Sequence, residues 1–370
     1  MPARHPGSRR CAAFGAWTLI CVTGPAAAWL PPLPPGDPLG ADISAAPLDA
    51  ESATVIAWLD SVGGFGFGRM QIDFSIEVVD ADPGAPALPL TPRPGYYVPD
   101  CDTGVTVPLP PGGAIEGESG YQCDAASADC HLIVWEPATQ VLHELYQADV
   151  TDDVLRARCL VRWQLDATYG PFRRGLQCTS ADAAGLPIAP LLFDADEVAA
   201  GAIDHAIRFI LPNPRMRAGT FVLPATHAGA PSGPAEAPPY GARLRLRADF
   251  PLASLPNDAA RTVARALQRY GMVLADGGNV ALTARSDRFT QAKWAGQLGP
   301  HDLRALQITD FQMIDAGTRY PLTYDCVREP PPASPPATIS AQIPAWTWPG
   351  AALAAALLVA AGLRARRAPR

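Results

Sequence analysis

Proline and glycine set the first limit on what this chain can fold into. Its 370 residues include 41 prolines and 32 glycines, and these gather in runs at 29–44, 80–120, 228–240 and 328–344. Proline offers no backbone N–H and clashes with a preceding helical turn, so neither a long helix nor a central strand passes through such a run. What remains between them are short windows. Most alternate apolar and polar residues with the period of two that marks a strand buried on one face.

Met70, Ile72, Phe74, Ile76 and Val78 form one such window, and 131–135 with 141–146 form a second and third, joined by EPATQ as a hairpin. Further strands are expected at 159–164, 203–211, 220–223 and 242–250. The segments 272–275 and 280–282 bracket Asp276-Gly277-Gly278-Asn279, which reads as another hairpin. Two windows have helical spacing instead. One runs over 49–62 with Asp49 as cap and Gly63-Gly64 as terminator; the other is capped by Asn257, turns Ala260, Val263, Ala264 and Leu267 inward, and stops at Gly271. A shorter helix is expected near 301–306. The expected class is α+β, mainly β, with an antiparallel sandwich-like core and at least two helices.

Both ends read as targeting segments. Residues 1–28 carry Arg4, Arg9 and Arg10, an apolar run from 11 to 22 and Ala26-Ala27-Ala28, the pattern of a secretory signal peptide. At the far end 328–344 is a proline-rich spacer reaching ~50 Å at about 3.1 Å per residue. An apolar segment of ~18 residues follows at 345–363, enough to span a bilayer, and 364–370 is a basic tail that stays cytoplasmic. A single exported domain, 29–327, lies between. Without the three leader and four tail arginines the body holds 22 basic against 36 acidic residues, a net charge of −14. Such a surface repels nucleic acid. The expected partners are the membrane, through the C-terminal helix, and extracellular polysaccharide. Cys101, Cys123, Cys130, Cys159, Cys178 and Cys326 remain in the body, an even set that reads as up to three disulfides in an oxidising compartment, with Cys123 and Cys130 spaced to close a short loop.

Chemistry concentrates in 179–229. His205 falls on the apolar face of a strand with Ile203, Ile207, Phe209 and Leu211, and a histidine placed inside asks for a partner. His227 stands at a strand end beside a flexible loop, and Asp182 and Glu197 lie in the same stretch. His131 and Glu144, on the two strands of the first hairpin, can share a face. Neither G-x-S-x-G nor H-E-x-x-H is present, which removes the common serine-hydrolase and zinc-hydrolase patterns. His205, His227, Asp182, His131 and Glu144 are therefore the candidate catalytic residues, with Asp276 as a further carboxylate. Convergence of His131, His205 and His227 on a metal is the rival use, and both metal and cofactor are left unassigned. Tyr96, Tyr97 and Tyr240 would serve a sugar-binding module. Arg243, Arg245 and Arg247 share one strand face, where pairing with surface carboxylates is the expected role.

The motifs TSADAAGLPI, DHAIRF, PATHAG and YGMVLADGG, supported by DPLGADIS and DCHLIV, resemble an uncharacterised family of exported bacterial proteins. Its members usually show Asp-Arg-His where this chain has Asp129-Cys130-His131, and Ala-Arg-His where it has Ala225-Thr226-His227. The resemblance implies organisation rather than a reaction. Ile343-Pro344, the apolar segment and the arginine cluster are similar to PEP-CTERM-type sorting tails. The expected function is that of an exported, membrane-tethered envelope protein acting on extracellular carbohydrate through histidine and carboxylate chemistry; the alternative is a non-catalytic adhesion or envelope module.

Overall fold

A computed structural model describes residues 30–332 of the chain. The short apolar windows become short strands, and most of them collect into three sheets. The largest has six strands in the order Ile72–Ile76, Leu282–Arg285, Ile207–Leu211, Met272–Gly277, Arg243–Leu246 and Phe311–Met313. It is mixed rather than antiparallel: Ile72–Ile76 runs parallel to Leu282–Arg285, and Ile207–Leu211 parallel to Met272–Gly277. A second sheet joins Val79–Asp80, Leu132–Glu136, Val141–Tyr146 and Cys159–Gln164. The 131–146 hairpin expected from the sequence lies at its centre, with Ile133 opposite Glu144. The third sheet, Thr106–Pro108, Ala87–Pro92, Val154–Ala157 and Asp149–Thr151, forms partly inside the proline-rich 80–120 region.

Three α-helices accompany the sheets among the described residues: α1 (Ser52–Ser61), α2 (Ala195–Ala200) and α3 (Asp258–Arg269). In α3 the Asn257 side chain accepts from the Ala260 amide at 2.8 Å, Val263, Ala264 and Leu267 are buried, and Gly271 takes φ +69°. This is the cap, face and terminator that the sequence predicts. Asp49 does not cap α1. Its carboxylate accepts from the amides of Glu51 and Ala316 and pairs with Arg319, which ties the helix entrance to the 316–319 segment. Residues 301–306 form turns instead of a helix; the Asp302 carboxylate is held by the Gly299 amide and the Asn257 side chain, and such local bonds compete with helix formation.

Two further expectations are corrected. The 272–282 segment is no hairpin, because Ile207–Leu211 inserts between its two arms, with Phe209 opposite both Leu274 and Leu282. That strand is buried on both faces, so its N–H and C=O groups need partners along both edges. Arg243 and Arg245 do not pair with surface acids. Both are buried, donating to backbone carbonyls of 38–46 and so clasping the N-terminal segment, while Arg247 alone pairs with exposed Asp249.

The six cysteines among the described residues are all bridged, as Cys101–Cys159, Cys123–Cys130 and Cys178–Cys326. No helix among the described residues is long and apolar enough to cross a membrane. The expected leader, most of the spacer, the 345–363 span and the basic tail lie outside the described residues.

Candidate functional site

Three neighbouring residues of one buried loop, Ala181-Asp182-Ala183, gather the polar chemistry. His131 Nε2 lies 3.3 Å from the Ala181 carbonyl, and His227 Nδ1 lies 2.8 Å from the Ala183 carbonyl. Between them Asp182, fully buried, accepts from Arg208 Nε at 2.6 Å and from the Ala184 amide at 3.0 Å. Arg208 then reaches outward, donating to Asp276 at 2.8 Å. The loop keeps this shape through its own bonds. Ser180 Oγ donates to the Leu186 carbonyl at 2.7 Å, and Gly185 takes φ +73° where a Cβ would lie 2.2 Å from Thr226 Oγ1. Only glycine fits there.

Against this loop lies a pocket of about 570 Å³, the largest in volume of the surface pockets described. Asp129, Asp276, Tyr146, Tyr240, His227 and Tyr324 line it. Tyr97, Asp100 and Asn213 contribute further polar and aromatic surface, and no lysine or arginine lines it. Strand ends supply the groups: Tyr146 closes Val141–Tyr146, Asp276 stands near the end of Met272–Gly277, and Asp129 shortly precedes Leu132–Glu136. Tyr324 adopts φ +63° with its hydroxyl donating to the Gly229 carbonyl at 3.0 Å and its ring edge-on to His227 at 5.4 Å. A bulky residue in this region of backbone space is held there by its surroundings; two residues on, Cys326 is bridged to Cys178, next to the pocket-lining Thr179.

The charges behind the pocket are unequal. Glu116, Asp129, Asp182 and Asp276 stand against His131 and Arg208. Burial alone would lower His131, but the Glu116 carboxylate 2.7 Å away raises it to about 9. Both ring nitrogens of His131 face acceptors, which the doubly protonated ring satisfies. Burial also works against the Arg208 cation, yet Asp182 and Asp276 hold its pKa above the ordinary value. Asp129 is exposed to solvent, yet the loss of water around its carboxyl pushes its pKa up, opposed by His131 and reinforced by the Asp276 and Glu116 charges. Asp182 is pushed up as well, by burial first and by Asp276, against the pull of Arg208. His227 is lowered by burial, so its ring is neutral near pH 7. Since Nδ1 faces a carbonyl it carries the proton, and Nε2 keeps a lone pair free to accept from whatever enters the pocket.

Of the five candidates read from the sequence, His227 lines the pocket, Asp182 forms the ion pair beneath it, and His131 sits behind, its ring 5.8 Å from that of Tyr146. Glu144 is elsewhere in role: fully buried, it accepts from Trp163 Nε1 at 2.9 Å and from the amides of Ile188 and Ala189 at 2.8 Å, fastening the second sheet to the loop that follows the hub. His205 precedes its strand rather than lying within it, and is held by Glu197 at 3.2 Å and the Ala206 carbonyl at 2.9 Å beside a separate surface cavity. The three histidines do not meet at one point. Among the described residues the sole group within reach of a single metal ion is Asp100, Cys178 and Cys326, and its two sulfurs are bonded to each other, which removes the thiolates a metal needs. Asp129, Tyr146, Arg208 and Tyr324 were not singled out by sequence reasoning. Asp129 and Arg208 carried a signal through the Asp129-Cys130-His131 and DHAIRF motifs.

Comparisons of the chain with family models, with curated proteins and with solved structures return no match.

Proposed function

We propose that this protein is an exported glycoside hydrolase acting on extracellular carbohydrate, with Asp129 as general acid and Asp276 as the second carboxylate. One observation carries the reading. Two carboxyl groups from separate parts of the fold line the same tyrosine-walled pocket, and their surroundings differ: Asp276 is ion-paired with Arg208, whereas Asp129 has no cation bonded to it and a raised pKa. Glycosidic cleavage asks for one carboxyl that still holds a proton to give the leaving oxygen, and one held as a charge to act as base or nucleophile. The tyrosines offer the flat apolar faces and hydroxyls on which sugar rings stack and bond.

Export and tethering belong to the same proposal. Three disulfides favour an oxidising compartment, and the resemblance to exported proteins, the leader and the 345–363 segment support release across, and attachment to, a membrane. The non-catalytic alternative draws on His131, His205 and Glu144, which all have protein partners; His227 and Asp129 do not fit it as well, since each presents unbonded polar atoms to the pocket.

The test separates acid catalysis from binding. Activity on natural glycosidic bonds should fall as pH rises through the elevated pKa of Asp129, and Asp129→Asn should lose ~10²-fold or more in kcat along with that alkaline limb. A nitrophenyl glycoside, whose leaving group needs no proton, should be far less affected. Equal losses on both substrates, or none on either, would remove Asp129 from the acid role.

A further inference from the structure

Tyr240 is fully buried, yet its hydroxyl makes no hydrogen bond to any described residue. The Gly229 amide approaches the phenol oxygen, short of hydrogen-bond geometry. An N–H can serve that oxygen only as a donor, so the phenol's own proton still lacks an acceptor. A buried polar group left this way is costly, and folds rarely retain one without a use. Tyr240 lines the same pocket as His227, whose Nε2 is an acceptor without a donor. Gly229 separates the phenol from the Ala183 side: a Cβ there would sit 3.1 Å from both the Tyr240 oxygen and the Ala183 Cβ. The bare glycine avoids that crowding, with the phenol oxygen itself shut off from solvent. An unpaired donor and an accepting nitrogen thus line one pocket, whose acidic side chains are Asp100, Asp129 and Asp276, with no lysine or arginine among them.

We propose that this corner is a sugar subsite in which Tyr240 donates to, and His227 Nε2 accepts from, hydroxyl groups of an uncharged saccharide unit. The proposal rests on the glycosidase reading and adds its substrate class. Hydroxyl groups donate and accept, matching both groups; a uronate or sulfated unit would bring its charge against Asp100 and Asp276 with no arginine or lysine in the wall to meet it.

Tyr240→Phe is the variant of choice because it removes only the oxygen. With no internal bond to lose, the variant should melt no lower than the parent protein, whereas a hydroxyl serving the fold would lower the midpoint when deleted. Binding is read by calorimetry on the full chain carrying Asp276→Asn to suppress turnover, with tetrasaccharides of glucose, N-acetylglucosamine and galacturonic acid as probes. The expected result is binding of an uncharged tetrasaccharide, weakened about tenfold by Tyr240→Phe. Equal affinity with and without the Tyr240 oxygen, or a lowered melting point for Tyr240→Phe, would overturn the subsite and leave the glycosidase reading standing. Preferred binding of the galacturonate probe would overturn the substrate class alone. Binding of none of the three by the full chain would count against both.

Discussion

His131 and Asp129 stand two positions apart, and the pKa of each is raised, by different surroundings. His131 is shut in with Glu116, whose charge raises its pKa to about 9; Asp129 lines the pocket, where the protein around it raises its pKa against the pull of His131. The histidine has a measurable signature in stability. Its folded pKa of about 9 exceeds the ordinary 6.5, so the stabilisation from the pair is whole below pH 6.5 and is lost as pH climbs through 9. The stability difference between the parent protein and His131→Gln, measured by denaturant unfolding from pH 6 to 9.5, should shrink with rising pH by up to roughly 3 kcal/mol. A difference that stays flat would mean that His131 is neutral in the fold. At this scale the sequence was partly legible. His227 was recognisable from its place at a strand end, and Asp182 from its density of polar neighbours. Arg208 gains its meaning from Asp182 and Asp276, 26 and 68 positions away, and Asp129 in part from Asp276, 147 away, and no local pattern marks such distances.

The 179–185 loop is the element on which the site depends. It gathers two histidines through its carbonyls and an arginine through Asp182, and its own curvature depends on Gly185. Replacing Gly185 by Ala would drive a Cβ to 2.2 Å from Thr226 Oγ1 and 2.6 Å from the Cys178 carbonyl, in a backbone conformation that alanine disfavours. A destabilisation of about 2 kcal/mol or more is expected, seen as a lowered unfolding midpoint, with ligand binding reduced beyond what the lost stability explains because the His227 anchor moves. An unchanged midpoint would show that the loop is more pliable than its contacts indicate. Helix α3 was legible because cap, face and terminator all lie within one window of sequence. The 272–282 pair was not, since its apparent hairpin is split by Ile207–Leu211, some sixty residues earlier, and strand insertion of this kind is decided by which edges need partners. Similarly, the alternation at 243–247 announces a strand correctly but is silent on which segment will cover its arginines.

Across the whole molecule the disulfides close what the short, proline-limited elements leave loose. Cys178–Cys326 spans 148 residues and ties the segment carrying Tyr324 to the start of the 179–185 loop, so two of the segments lining the pocket share one covalent link. In the chain-entropy account a loop of that length confers on the order of 5 kcal/mol. A mainly β fold with bridged cysteines was readable from composition, as was the acidity that now shows in the pocket as three aspartates. The central claim is that this pocket cleaves glycosidic bonds, and the most direct measurement is the release of new reducing ends from oligosaccharides by the full chain and by its Asp276→Asn variant. Arg208 keeps Asp182 in that variant, so the fold should persist with an unchanged melting midpoint. The account predicts turnover by the parent protein and a loss of about 10³-fold in Asp276→Asn. Equal rates in the two proteins, or no new reducing ends from any saccharide that the parent protein binds, would contradict it.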